Sequence, residues 1–548
     1  DRFPSMNALI AALQHAPRAR RLARLRAVGL LAAVAATAAA IIVTGSLRGA
    51  SSGPACVGLD RELHGVWDGD VRQRMRAAFD AVDLPYADDT LAKVEREFDD
   101  YRARWLEMRR AVCEADAALP ARAAATPSRS AHCLTRRLGQ FGSLTALLSD
   151  APDRATIVHA MPAALILPAP NSCDDSLVAA GGQPWTDERY GPTELEALHR
   201  RLDRVAVLDS VGRFREGMEV DAQLLGELDG FSQTGYSPLA ARARYRLAVL
   251  RARVGDLLGS ERLLRALLPQ AAAARDDELV ARAWLSLITT VGPHGHRYTE
   301  AALLQLSATT AVARADDDRL RARLAETMGI LWLRVGEHDK ALAASREAAM
   351  IYETLFGPDD FRLATALTHI GGTLRSMGRF EEAESHYERA IAILGQALGV
   401  EHPLLAAPLA GLGRTRVHAG RPAAALAELK RARAVVERSL GSGDPALVEP
   451  LLGLGEALVA LAKPAPAIHA FEQALALLGP PAGPRHAELR FALAQILAAR
   501  THDDPDARVR AVTLAEEARA IYATVGAKAQ RAAVAQWLAQ HQGATPSD

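Results

Sequence analysis

Glycines recur at one fixed step: Gly329, Gly371, Gly413 and Gly455 stand 42 residues apart. Alanines keep the same step at Ala341, Ala383, Ala425 and Ala467, and again at Ala348, Ala390, Ala432 and Ala474. Gly336, Gly378 and Gly420 make a further column, whose fourth place is taken by Ala462. Self-similarity at a fixed period constrains the chain to a solenoid, because each unit can bury its apolar face only against its neighbours. Each unit reads as a helical hairpin. A small residue in the first helix and two alanines in the second allow close approach, and the turn glycine supplies left-handed backbone. Pro403 and Pro445 start new units and stop the preceding helix. Composition agrees: hydrophobic residues reach 49% but aromatics only 5%, so Ala, Leu and Val dominate, which suits helices and excludes an all-β fold.

The unit resembles the tetratricopeptide repeat on specific residues. From Gly371 the offsets are seven to Gly378, twelve to Ala383, sixteen to Tyr387 and nineteen to Ala390, as in that family. The longer period and the Leu-Gly-x-x-His-Pro linker resemble its kinesin-light-chain subtype. Clear repeats run from Leu320 to His486, and a fifth follows with a two-residue insertion that shifts Ala511 and Ala518. Upstream, weaker hairpins turn at Gly212-Arg213-Phe214 and Gly255-Asp256-Leu257, giving about eight in all.

The resemblance implies a concave face, lined by first helices, that holds a protein or peptide segment. Carried over by offset from the four glycines, groove positions are Arg323, Glu326 and Arg334, then Thr368, Arg375 and Ser376. Arg414, His418, Glu449 and Glu456 complete the set. Thr368 and Ala410 occupy the slots where carboxylate-clamp repeats carry Asn, so a receptor for chaperone tails is not expected. The arginines hint at an acidic partner. Lys plus Arg and Asp plus Glu both total 65, and that balance argues against a nucleic-acid partner. His294 and His296 sit in a Gly/Pro loop without further ligands, which reads as a solvated loop rather than a metal site.

Four cysteines, Cys56, Cys113, Cys133 and Cys173, lie before the array. Leu91, Val94, Phe98, Tyr101, Trp105, Met108 and Val112 form a stripe at alternating steps of three and four, one long helix. Leu134, Leu138, Phe141, Leu144 and Leu148 form a second stripe, and together the two read as an antiparallel hairpin. Three pairings are open to four cysteines. The hairpin favours Cys113 with Cys133 at its loop end, leaving Cys56 with Cys173. Zinc is not expected, since no C-x-x-C occurs and His132 is the one imidazole nearby.

Residues 27–47 carry no charge, and 21 residues at about 1.5 Å each would span a hydrocarbon core. Arg18, Arg20, Arg21, Arg24 and Arg26 precede them, against Arg48 beyond, which by the positive-inside rule puts the N-terminus in the cytoplasm. The expectation is a single-pass inner-membrane protein, extracytoplasmic after residue 48, where an oxidising compartment suits disulfides.

Asp1 to Leu13 resembles the last helix of bacterial serine/threonine kinase domains, which closes on an Arg-x-x-[Ser/Thr] pattern. On that match Arg2 pairs with the Glu ending the activation segment. No Gly-rich loop, His-Arg-Asp or Asp-Phe-Gly follows, so a catalytic domain is expected upstream of Asp1 and no catalytic residue in the chain. ATP and Mg would belong to that absent domain, and no cofactor is expected here.

The expected fold is all-α: a transmembrane helix, a cysteine-bearing helical hairpin module and a tetratricopeptide α-solenoid. Its segments are a kinase-like tail (1–15), a basic stretch (16–26), a span (27–47), the cysteine module (48–176), degenerate repeats (193–318), the array (319–541) and a tail (542–548). The expected function is the protein-binding sensor region of a transmembrane serine/threonine kinase, open to homodimerisation; the alternative is a free-standing membrane-tethered scaffold.

Overall fold

The structure, a computed structural model, describes Asn7 and residues 56–117, 128–174, 190–229, 236–479, 483–499 and 505–542. The fold class and the single-pass inner-membrane placement are corrected here. No helix among the described residues is long and apolar enough to cross a membrane. The segment 27–47 on which that expectation rested lies outside the described residues, as do the basic stretch and, apart from Asn7, the kinase-like tail. What is described is an all-helical module joined to an α-solenoid.

The module holds α1 (Gly69–Asp80), α2 (Ala87–Ala117), α3 (Arg129–Ser149) and α4 (Arg154–Leu165), bracketed by 3₁₀ turns at Leu59–Leu63 and Pro170–Cys173. Asp68, Ser128 and Asp153 cap α1, α3 and α4 through their side chains, each accepting a backbone N–H of the first turn. The stripes of α2 and α3 face each other around an aromatic core. Phe98 meets Trp67 and Phe141 edge-on at 5.0 and 5.1 Å between centroids. Trp105 Nε1 donates to the Leu134 carbonyl at 3.0 Å.

Both cysteine pairs differ from the expected ones: Cys56 joins Cys113, and Cys133 joins Cys173. The reason is helical phase. Val112 and Leu134 lie buried in the α2–α3 seam, and Cys113 and Cys133 are each one residue off it, about 100° around the helix. Cys113 therefore turns to the chain entering the module and Cys133 to the 3₁₀ turn leaving it. Each end of the module is tied to a helix.

The array runs through eight helical pairs and a last single helix among the described residues. The pairs are α5 (Pro192–Ser210) with α6 (Phe214–Asp229), α7 (Pro238–Arg253) with α8 (Leu257–Ala273), and α9 (Asp277–Thr289) with a second helix broken into α10 (Tyr298–Leu303) and α11 (Gln305–Ala315). The periodic pairs follow: α12 (Asp318–Val335) with α13 (His338–Phe356), α14 (Phe361–Ser376) with α15 (Phe380–Leu398), α16 (Ala406–His418) with α17 (Pro422–Leu440), and α18 (Val448–Ala460) with α19 (Pro464–Leu477). α20 (Pro484–Ala499) with α21 (Pro505–Thr524) and lone α22 (Lys528–Gln542) close the chain.

Close approach explains the glycine column. A Cβ on Gly371 would stand 2.9 Å from the Tyr387 ring, sixteen residues on, and one on Gly455 would overlap the ring of Phe471. The turn column is left-handed, with φ of 90° at Gly336, 76° at Gly378 and 77° at Gly420. Ala462 holds the same backbone at φ 55°. An L side chain there costs about 1 kcal/mol, so Ala462→Gly should raise the urea midpoint by that equivalent. A midpoint that stays put or falls would refute the assignment of strain.

Module and array share one continuous core, which runs from Leu63 through Phe141 and Leu208 to Leu409 and Ala457. Asp203 of α5 accepts from Arg136 at 3.0 Å and from Gln140 at 2.8 Å. Farther along, Arg362 donates to the Leu165 carbonyl at 3.1 Å and Arg154 to the Arg438 carbonyl at 3.0 Å. The linker residue His402 is buried between the two. Its Nδ1 accepts the Leu404 N–H at 3.2 Å, so its Nε2 carries the proton and donates to the Val158 carbonyl at 2.9 Å.

Burial lowers the His402 pKa to about 4, with His159 and Lys93 adding to the effect against the Val158 carbonyl. Below the unfolded value of about 6.5 the unfolded chain binds a proton the folded chain refuses. Stability should therefore fall as pH drops from about 6.5 toward 4, by up to about 1.4 kcal/mol per unit. His402→Gln should flatten that slope in urea titrations across the window; an unchanged slope would remove His402 as its source.

Candidate functional site

First helices of successive hairpins touch one another as well as their own partners, which places them on the shorter, inner circumference of the superhelix. The groove residues expected from sequence all lie on these helices. The structure gathers four of them, Arg414, His418, Glu449 and Glu456, into one network, and sequence reasoning missed its other two members, Arg485 and Glu488.

Arg414 is the hub, 3% exposed. Its Nε and Nη2 donate to the two oxygens of Glu456 at 2.8 and 2.7 Å, a bidentate pair. Nη2 also reaches Glu488 at 2.7 Å, and Nη1 reaches Glu449 at 3.3 Å. Arg485 pairs with both Glu449 and Glu488. His418 Nε2 stands 3.9 Å from Glu456. Gly453 makes room for the hub, since a Cβ there would fall 2.9 Å from Arg414 Cγ. Burial works against the charge on Arg414, but Glu456, Glu488 and Glu449 outweigh it and hold the guanidinium well above its ordinary range. Burial likewise opposes ionisation of Glu488, yet Arg485 and Arg414 press its carboxyl far below the usual range.

The central pair was legible: Arg414 and Glu456 are one period apart, so one column carries opposite charges on neighbouring helices. Glu488 lies past the last clear repeat, where column reasoning ends. The network also revises the acidic-partner hint, because Arg414 is already neutralised from within the chain.

The remaining groove positions are dispersed. Glu326 accepts from the Tyr352 hydroxyl at 3.0 Å within its own hairpin. Thr368 and Ser376 donate to carbonyls one turn back, at Ala364 (2.8 Å) and Gly372 (3.0 Å). Among the described residues Arg323, Arg334 and Arg375 make no ion pair. Arg323 lies near Tyr245 and Tyr352, and Arg375 near Tyr387 and His418. Arg334 of α12 feels Arg485, Glu449 and Glu488 of α18 and α20, so it looks across the groove at the network. Among the described residues no cluster of three His, Cys, Asp or Glu is placed to hold a metal. The arrangement offers a polar lumen with fixed charges, suited to binding.

Residues 320–396, 362–435 and 404–478 match the tetratricopeptide repeat. No curated protein matches the chain. Among solved structures it is similar to BtubC (BKLC) from P. vanneervenii, at 22% identity over 45% of this chain and 93% of that one, TM-score 0.34. It is also similar to the quorum sensor NprR from B. thuringiensis in its apo form, at 14% identity over 70% and 99%, TM-score 0.45. A Rap protein complexed with Competence and Sporulation Factor aligns at 13% identity over 63% and 98%, TM-score 0.43.

Proposed function

We propose that this chain, which carries tetratricopeptide repeats, is a protein-interaction scaffold that holds a partner's segment in the groove of its first helices. The observation that carries the reading is the placement of Arg323, Arg334 and Arg375 on that inner face without ion pairs, beside an anchored Arg414 network. The network sets the lumen's shape, and the three guanidiniums that make no ion pair, of which Arg375 also bonds the Tyr387 hydroxyl, supply donors for a segment's backbone and polar side chains. Binding by such a groove needs no cofactor.

Capture by the immobilised full chain, followed by identification of what is retained, tests it. Arg334→Glu with Arg375→Glu should abolish capture while helical circular dichroism is kept, and Lys430→Glu, on an exposed face of α17, should leave it intact. Equal capture by all three proteins would move the binding surface off the groove.

The finer reading assigns the scaffold to a serine/threonine protein kinase and is supported by the pattern around Arg2 and Ser5. An in-frame catalytic domain with Gly-rich loop, His-Arg-Asp and Asp-Phe-Gly upstream of Asp1 would establish it, and a start codon close to Asp1 would end it.

A further inference from the structure

The third and eighth hairpins, far apart in sequence, touch at their ends. Gly483, just before α20, packs on the imidazole of His296 so closely that a Cβ there would overlap the ring. His296 is held for this contact. Its backbone is left-handed at φ 58°, its N–H donates to the Gly292 carbonyl at 2.8 Å, and its Nδ1 lies 3.0 Å from the Tyr298 hydroxyl. On the other side the Gly483 N–H donates to His486 Nδ1 at 3.1 Å, which needs that nitrogen unprotonated. The contact joins the two walls of the groove near Arg334.

The surroundings are rich in positive charge. His296 faces Arg334 from α12, His486 from α20, and His294 from its own turn. His294 is near Arg253, and His486 is near Arg490 and the Leu478 carbonyl. Arg334 in turn faces Arg485, Tyr298, Glu449 and Glu488. Both carboxylates are already engaged by Arg414 and Arg485. A proton added to His296 or His486 therefore brings charge beside arginines with no free carboxylate to receive it.

We propose that the His296–Gly483 contact is an acid-opened latch that closes the array at neutral pH and parts the third and eighth hairpins when His296 and His486 are protonated. Burial, then Arg334, His486 and His294, hold His296 below its ordinary range, and burial and Arg490 do the same for His486. The closed contact is thus favoured above the ordinary histidine range and weakened as pH falls through it. The consequence for ligand entry rests on the groove reading above; the opening itself does not.

Hydrogen exchange of the full chain, corrected for intrinsic rates and compared at pH 7.5 and 5.5, reads the latch directly. Protection at 290–298 and 483–486 should drop at least tenfold at pH 5.5, and the radius of gyration from small-angle scattering should rise. Gly483→Val, which wedges the contact, should show the open pattern already at pH 7.5 with unchanged helicity. His296→Phe with His486→Gln should stay closed at pH 5.5. Equal protection at both pH values, or a double variant that opens as fully as the parent, overturns the latch. Opening without any change in partner capture would count against the groove reading and leave the latch standing.

Discussion

Replacing Arg414 with Met lowers the stability of the array by about 3–5 kcal/mol, the cost of breaking a buried ion network on one side. The substitution keeps most of the side-chain length, so the loss is electrostatic rather than a cavity. It leaves Glu449 and Glu488 sharing Arg485, and Glu456 with only His418 at 3.9 Å, in a site where burial already opposes the charge on Glu449 and Glu488. Part of the loss returns as those carboxyls take up protons. The deficit of the variant should therefore shrink as pH falls through the carboxylate range, and Glu456→Gln on top of Arg414→Met should recover stability. Urea denaturation of the two single variants, the double and the parent closes the cycle. A deficit below about 0.5 kcal/mol would mean the network behaves as a solvated surface cluster.

Trp105→Ala is expected to cost about 3–5 kcal/mol as well, here through lost volume. Trp105 is fully buried between α2 and α3, and its indole N–H satisfies the Leu134 carbonyl. Truncation empties the seam and removes the indole's bond to that carbonyl, which keeps only its helical partner, beside Cys133, whose disulfide ties α3 to the 3₁₀ turn. Trp105→Phe refills most of the space but not the hydrogen bond, and should cost about 1–3 kcal/mol. Because module and array share a core, the loss should also appear as faster hydrogen exchange in α5, which Arg136 and Gln140 hold through Asp203. Exchange confined to the module would show the two units to be energetically separate.

How much of this was legible in the residues varies with the distance of the contact. The hairpins were, because the pairs that make them lie sixteen residues apart, as at Gly371 and Tyr387, and repeat at every period. The stripes of α2 and α3 were legible for the same reason. The cysteine pairing was not: both stripes were read correctly, but a step of one residue beyond Val112 turns Cys113 out of the seam. The apolar stretch 27–47 set an expectation of a membrane helix from hydropathy alone, and no described helix meets that description. Within the groove, the Arg414–Glu456 pair could be read from one column, whereas Arg485 and Glu488 stand off that column, one period after Gly443 and Ala446.

By itself, then, the sequence determined the helical hairpin, its small-residue seams, its left-handed turns and the inner face on which the candidate groove residues lie. All of these depend on short-range sterics that repeat with the period. Tertiary structure alone decided that His402 bonds Val158, 244 residues away, that the cysteine module packs into the array's core, and that Gly483 seats His296 across the groove. Those contacts follow from the small rotation added at each repeat. No column of residues encodes that sum, and the broken helix α10–α11 alters it.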